Sequence, residues 1–162
     1  MKALLPLFLI AAPLFGTDYL TAEEAARSMF PQADRFDATT APGLPPSFRG
    51  KVLVARKGGL TLGHVVIDNV IGRTERITLA VGVGVDGAVR RVEILSYRES
   101  HGQEVRMPAW RRQFEGKTAA APLKVGRDIA PISGATLSCN SVTEGVHRIL
   151  GMLLEARRAG LL

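Results

Sequence analysis

Ile77-Thr78-Leu79-Ala80-Val81-Gly82-Val83-Gly84-Val85 is the stretch that decides the fold. Every odd position carries a large aliphatic side chain, and every even one carries Thr, Ala or Gly. Successive side chains of a strand leave opposite faces of a sheet, so this period of two predicts a strand. The large face is expected to meet a core. The small face (Ala80, Gly82, Gly84) lets something flat or helical approach closely, and a packed helix suits it best. Asp86-Gly87 follows and reads as a two-residue hairpin turn of type I′. Val89 to Tyr97 then supplies the returning strand. The glycines of GVGVDG are not a dinucleotide fingerprint, because they lie inside a strand and no helix follows them.

Working outward, Val52 to Val54 and Leu60 to Ile71 are rich in Val, Ile and Leu and predict further strands. Thr21 and Glu24 stand in the spacing of a capping box, so a helix is expected from there to about Phe30. Residues 38–50, rich in Pro, Gly and Thr, read as a loop. Downstream, a short helix is expected over Met107 to Phe114, ended by Gly116, with Trp110 and Phe114 four apart as core residues. An irregular stretch follows, with room for one strand. The last helix is expected over Cys139 to Arg158. Val142, Val146, Ile149, Leu150, Leu153 and Leu154 form its apolar stripe, opposite Glu144, His147, Arg148 and Glu155. The order predicts an α+β fold: an antiparallel sheet with a hairpin, packed against a C-terminal amphipathic helix and short helices.

The 162 residues are 46% hydrophobic and 22% charged, which suits one globular domain and argues against disorder. One cysteine rules out a disulfide framework, and His64, His101 and His147 lack metal-ligand spacing. The net charge of +6 comes from dispersed pairs: Arg56-Lys57, Arg90-Arg91, Arg111-Arg112 and Arg157-Arg158. With one Trp and two Tyr there is no stacking platform, so nucleic acid is not an expected partner. Residues 1–16, MKALLPLFLIAAPLFG, have one lysine and then a short apolar run. They read as a secretory signal cleaved near Gly16, or as a short uncleaved anchor. The domain is then 17–162, and its expected location is periplasmic or otherwise extracytoplasmic.

Chemistry is expected at Ile132-Ser133-Gly134-Ala135-Thr136-Leu137-Ser138, just before the last helix. Small residues and three hydroxyls arrive there at a helix amino terminus, whose free N–H groups and dipole suit a phosphate. A plain helix cap is the competing explanation: Ser138 or Ser141 could cap, and Ser141 with Glu144 is itself a capping box. Cys139 falls in the first turn, where a thiol pKa is expected to drop. No nucleophile–base set or paired carboxylates stand in a recognisable frame, which favours a carrier over an enzyme with its own substrate.

SGATLS (133–138) before an amphipathic helix resembles the FMN-binding domain family, which includes flavin-carrying subunits of the sodium-pumping NADH:quinone reductase and of Rnf complexes. YLTAEEA (19–25), ILSYRESHGQEV (94–105), WRRQFEGK (110–117) and GRDIAPISGATLS (126–138) are most similar to its small secreted branch. The resemblance implies an electron-transferring flavoprotein with FMN attached by a phosphoester to Thr136, made by a flavin transferase with FAD as donor. It implies cofactor contacts at Ser133, Gly134, Ala135, Thr136, Leu137 and Ser138. It also brings the loop with Glu99, His101, Gly102 and Glu104 toward the flavin. The implied partners are the transferase and a membrane or periplasmic redox protein, for which the +6 charge offers a docking surface. The sequence departs from the family motif at one place: Ala130 stands where an Asp precedes the Ser by three, and the nearest acid is Asp128. Non-covalent FMN, in a sensor or scavenger, is the alternative.

Overall fold

The computed structural model describes residues 17–39 and 44–162; residues 1–16, expected to be a signal or an anchor, lie outside them. Six antiparallel strands form one curled sheet in the order β1-β6-β5-β4-β3-β2. They are β1 (Thr17–Asp18), β2 (Arg35–Thr39), β3 (Lys51–Lys57), β4 (Leu60–Ile71), β5 (Arg76–Gly84) and β6 (Val89–Tyr97). Helix α1 (Ala22–Met29) covers one face, and α3 (Thr136–Arg158) covers the other. Between β6 and α3 run a 3-10 turn (Gln103–Arg106), the short helix α2 (Pro108–Arg111) and a second 3-10 turn (Arg112–Phe114). The architecture is the antiparallel α+β arrangement that the hydrophobic periods imply.

The alternation in β5 sorts the two layers. Ile77, Leu79, Val81 and Val83 are fully buried, in the cluster that contains Val142, Val146, Ile149, Leu150 and Leu153 of α3. Burying each such side chain is worth about 1.5–3 kcal/mol, so this face is the main apolar contact of the fold. The small face receives α1. A side chain at Gly82 would lie 2.9 Å from both Cβ and Sδ of Met29, so only glycine admits the helix at that depth. Ala25 and Ala26 of α1 cluster with Ala80, Ala55 and Val65 on this side. Thr21 caps α1 as expected: its Oγ1 accepts the Glu24 N–H, and the Glu24 carboxylate accepts the Thr21 N–H at 2.7 Å.

Three local expectations change. The β5–β6 hairpin is not a two-residue type I′ turn. Gly84 N–H bonds Ala88 O, Gly87 N–H bonds Gly84 O, and only Gly87 has positive φ (+82°). Val85 and Asp86 therefore form an ordinary turn and Gly87 the left-handed residue after it, the three-residue loop that carries a bulge. Asp86 stabilises it by accepting Ala88 N–H at 3.0 Å. Residues 38 and 39, expected in a loop, end β2, whose pairing with β3 (Arg35↔Arg56 to Thr39↔Val52) makes the strand where composition gave no period. Helix α3 begins at Thr136, three residues before Cys139.

Candidate functional site

The site grows from the start of α3. Gly134 takes φ +80°, which turns the chain sharply with no heavy atom near its missing side chain. Ala135 is the N-cap and offers no side-chain oxygen. Among the described residues, the N–H groups of Thr136, Leu137 and Ser138 have no acceptor; the first helical bond is Cys139 N–H to Ala135 O. Capping by Ser138 or Ser141 is overturned, since both lie inside the helix. Three unspent amides at the positive end of a 23-residue helix make a receptor for an oxyanion. The Thr136 side chain is exposed beside them.

The loop after β6 is fastened to this helix start. Tyr97 Oη donates to His101 O and shares a hydrogen bond of 2.8 Å with Ser138 Oγ. Burial pushes the Tyr97 phenol pKa up, outweighing the opposite pull of the Ser138 bond, so the phenol stays a donor. Gly102, at φ +90°, fills the remaining space: a Cβ there would stand 2.7 Å from Tyr97 Oη and 2.8 Å from Ser138 Oγ. The pre-helix loop is held from its other side. Trp110 Nε1 donates to Ala130 O at 2.8 Å, and Ala130 N–H donates to Gln113 Oε1 at 2.7 Å. Trp110 is itself buried edge-on against Phe114 at 5.2 Å, the core role that their spacing predicted.

Glu99 performs a third fastening. Its carboxylate accepts the N–H groups of Arg73, Thr74 and Glu75 in the β4–β5 turn. Burial raises its pKa, but these backbone donors outweigh it and hold the carboxyl below the usual range. The turn so held sets Arg73 on the wall opposite Thr136. Together these elements enclose an open cleft of about 450 Å³, lined by Arg73, Glu99, Ser100, His101 and residues 134–138. That volume lies in the range of about 300–1,000 Å³ typical of ligand sites. A cleft of about 490 Å³ lies over Phe48 and Met152, but its Asp68 and Arg148 satisfy each other at 2.8 Å.

The structure thus brings Gly134, Ala135, Thr136, Leu137, Ser138, Glu99 and His101 to one cleft. Ser133, Gly102 and Glu104 do not line it: Ser133 and Glu104 are exposed beside it, and Gly102 is buried beneath. Ser138 and Glu99 direct their polar atoms into the protein. Leu137 presents an exposed apolar side chain, and His101 an exposed imidazole whose Nδ1 is 2.9 Å from Ser100 Oγ. Arg73 was missed from sequence, because nothing local to Gly72-Arg73-Thr74 marks a residue that works beside Thr136. Cys139 is fully buried, and burial pushes its thiol up, against the expected fall at a helix start. Asp128 accepts Lys124 N–H at 2.8 Å, Leu123 N–H at 3.1 Å and Lys117 Nζ at 3.0 Å, so its carboxylate is committed to its own turn.

A hydroxyl, free helix amides and a guanidinium around an open cleft define a domain built to hold a phosphate-bearing ligand. Residues 72–151 match the family model of the FMN-binding domain, and through this segment the chain belongs to that family. The segment runs from the Arg73 turn into α3 and contains every residue of the cleft. The chain is also 26% identical, over 135 residues, to one of the subunits of the ion-translocating oxidoreductase complex of Methanosarcina acetivorans, covering 77% of this chain and 71% of that protein. The residues present fit FMN. The amides of 136–138 and Arg73 suit its phosphate, and Leu137 and His101 offer an apolar and a polar contact to the rest.

Proposed function

We propose that this protein is an extracytoplasmic flavoprotein that transfers electrons, with FMN joined by a phosphoester to Thr136. The observation that carries the reading is the Thr136 hydroxyl, exposed in the cleft beside three unpaired amides and free of any capping role. In the attachment step the Thr136 oxygen bonds to the FMN phosphorus of FAD. The hydroxyl proton leaves with the transferase's base, and the phosphoanhydride breaks to release AMP. The ester leaves the redox ring untouched; the cofactor supplies the electron chemistry and the protein its position and surroundings. An open cleft keeps the cofactor accessible to a partner, which suits a carrier. The relative from an oxidoreductase complex supports a membrane redox partner, and the apolar segment 1–16 supports export.

The test is coexpression with a flavin transferase, followed by denaturing electrophoresis and intact mass. The expected result is in-gel flavin fluorescence and an FMN increment on the wild type, both absent from Thr136→Ala. An unmodified wild type refutes the covalent reading. One observation favours the second reading, non-covalent FMN: Ala130 replaces the motif acid, and Asp128 is occupied within its own turn. Yellow protein that loses its colour on acid precipitation would select it. Intact mass of the native protein also reads whether residues 1–16 have been removed.

A further inference from the structure

His64 is the one histidine buried in the fold, 6% exposed, on the α3 face of β4. Among the described residues no group hydrogen-bonds its ring. Among those residues no fully enclosed side-chain nitrogen or oxygen lacks a partner, so its unpaired nitrogens reach open space. That space is a cleft of about 460 Å³ at the C-terminal end of α3, remote from Thr136 at the other end of the same helix. Arg56 and Arg157 line it with His64 and Thr61, and Val54, Val85, Leu161 and Leu162 supply aliphatic walls; the backbone end at Leu162 makes no ion pair with either arginine. No carboxylate side chain lines it. Arg56 is already engaged, donating to Asp37 at 3.0 Å and Thr61 Oγ1 at 3.0 Å, and Asp37 also pairs with Arg35. Arg157 makes a 3.3 Å bond to the Gly84 carbonyl and, among the described residues, no ion pair; Asp86 on its other side is taken by Arg90 at 2.9 Å. The uncompensated charge at the cleft is therefore one guanidinium, beside a neutral imidazole able to donate or to gain a proton.

We infer that this cleft binds a small organic monoanion, a carboxylate on a short aliphatic body, held by Arg157 and His64 against Val54 and Val85. One free cation matches one negative charge, and a dianion would be left half compensated. The aliphatic walls exclude a purely inorganic ion as the best ligand. Burial and the nearby Arg157 and Arg56 hold the imidazole pKa below its ordinary value. A bound carboxylate opposes both guanidiniums, so it raises the pKa and binds more tightly as pH falls.

The test is an NMR titration of the histidine ring resonances of the full chain with hexanoate. Hexanoate is expected to shift His64 saturably, to leave His101 and His147 in place, and to raise the His64 titration midpoint. Arg157→Gln is expected to weaken hexanoate about tenfold, the effect of losing a charge-assisted hydrogen bond, and Arg157→Lys to weaken it less. Val85→Asp, at a side chain 54% exposed, is expected to abolish binding by repulsion while leaving the melting temperature near that of the wild type. Equal movement of all three histidines, equal binding of hexanol or inorganic phosphate, or an unaffected Val85→Asp would each overturn the assignment.

Discussion

Gly102 and Gly134 offer a matched pair. Both take positive φ, +90° and +80°, and both flank the start of α3. They differ in what a side chain would meet. At Gly134 nothing lies within 4 Å, so Gly134→Ala carries only the left-handed backbone penalty, about 1–2 kcal/mol. At Gly102 a Cβ would also stand 2.7 Å from Tyr97 Oη and 2.8 Å from Ser138 Oγ. Neither atom ends a flexible chain: one is on a buried ring and the other in the first turn of a helix. Overpacking of that kind adds about 1–3 kcal/mol. Parting the Tyr97–Ser138 bond adds about 1 kcal/mol more. Gly102→Ala is thus expected to cost about 3–6 kcal/mol, a large share of a typical stability of about 5–15 kcal/mol. Urea unfolding followed by the single buried Trp110 measures both variants, with an unchanged slope as the sign that only stability moved. Tyr97→Phe, which removes the hydroxyl without adding bulk, is expected to fall between them. Equal midpoints for Gly102→Ala and Gly134→Ala would refute the claim that loop 98–106 is packed onto α3 through this contact.

Glu99→Gln is expected to destabilise the protein at pH 7. The folded carboxyl is held below its ordinary value, so its contribution is complete above about pH 5 and is lost as pH falls through the folded pKa. The difference between wild type and variant should therefore shrink in acid, as thermal melts from pH 7 to pH 3 can show. Arg73→Gln is expected to weaken FMN binding to the unmodified protein about tenfold, by fluorescence titration, through loss of a charge-assisted contact to phosphate. A second glycine pair lies within α3. Gly151→Ala, with open space around it, is expected to stabilise by up to about 1 kcal/mol. Gly145→Ala would place a Cβ 2.6 Å from Val70 Cγ1, and its overpacking cost of about 1–3 kcal/mol should cancel or exceed the same helix gain.

Much of the fold is legible in the sequence because its strongest signals are local. The alternation at Ile77–Val83 reports burial on one face of a strand, and it fails only at Val85, which lies past the strand end and is exposed. The stripe from Val142 to Leu153 reports burial on one face of a helix, and Thr21 with Glu24 reports a bond that spans three residues. The SGATLS segment could likewise be placed at a helix start, although its last three residues belong to the helix itself. Errors entered where two local signals competed. Asp-Gly is the commonest mark of a two-residue turn, yet the register of β5 against β6, with a bulge at Gly82/Val83, sets a longer loop. Ser141 with Glu144 spells a capping box, yet α3 runs past it to Thr136, and Ser138 in its first turn bonds Tyr97 of β6.

By itself, then, the sequence determined the sheet, its two helical layers and the position of Thr136, since each rests on periodicity or on bonds between near neighbours. Only the tertiary structure decided which side chains are free to act. Glu99 reads as a cofactor contact and instead holds the turn that sets Arg73 in place; Ser138 reads as a cap and instead bonds Tyr97. His64 reads as an isolated histidine and instead shares a cleft with Arg56 of the neighbouring strand β3 and Arg157 from the end of α3. For Glu99 and Ser138 the physical reason is the same. A polar side chain's role is set by the partners that satisfy it. Here those partners come from segments far apart in the chain, joined only when the sheet closes against α3.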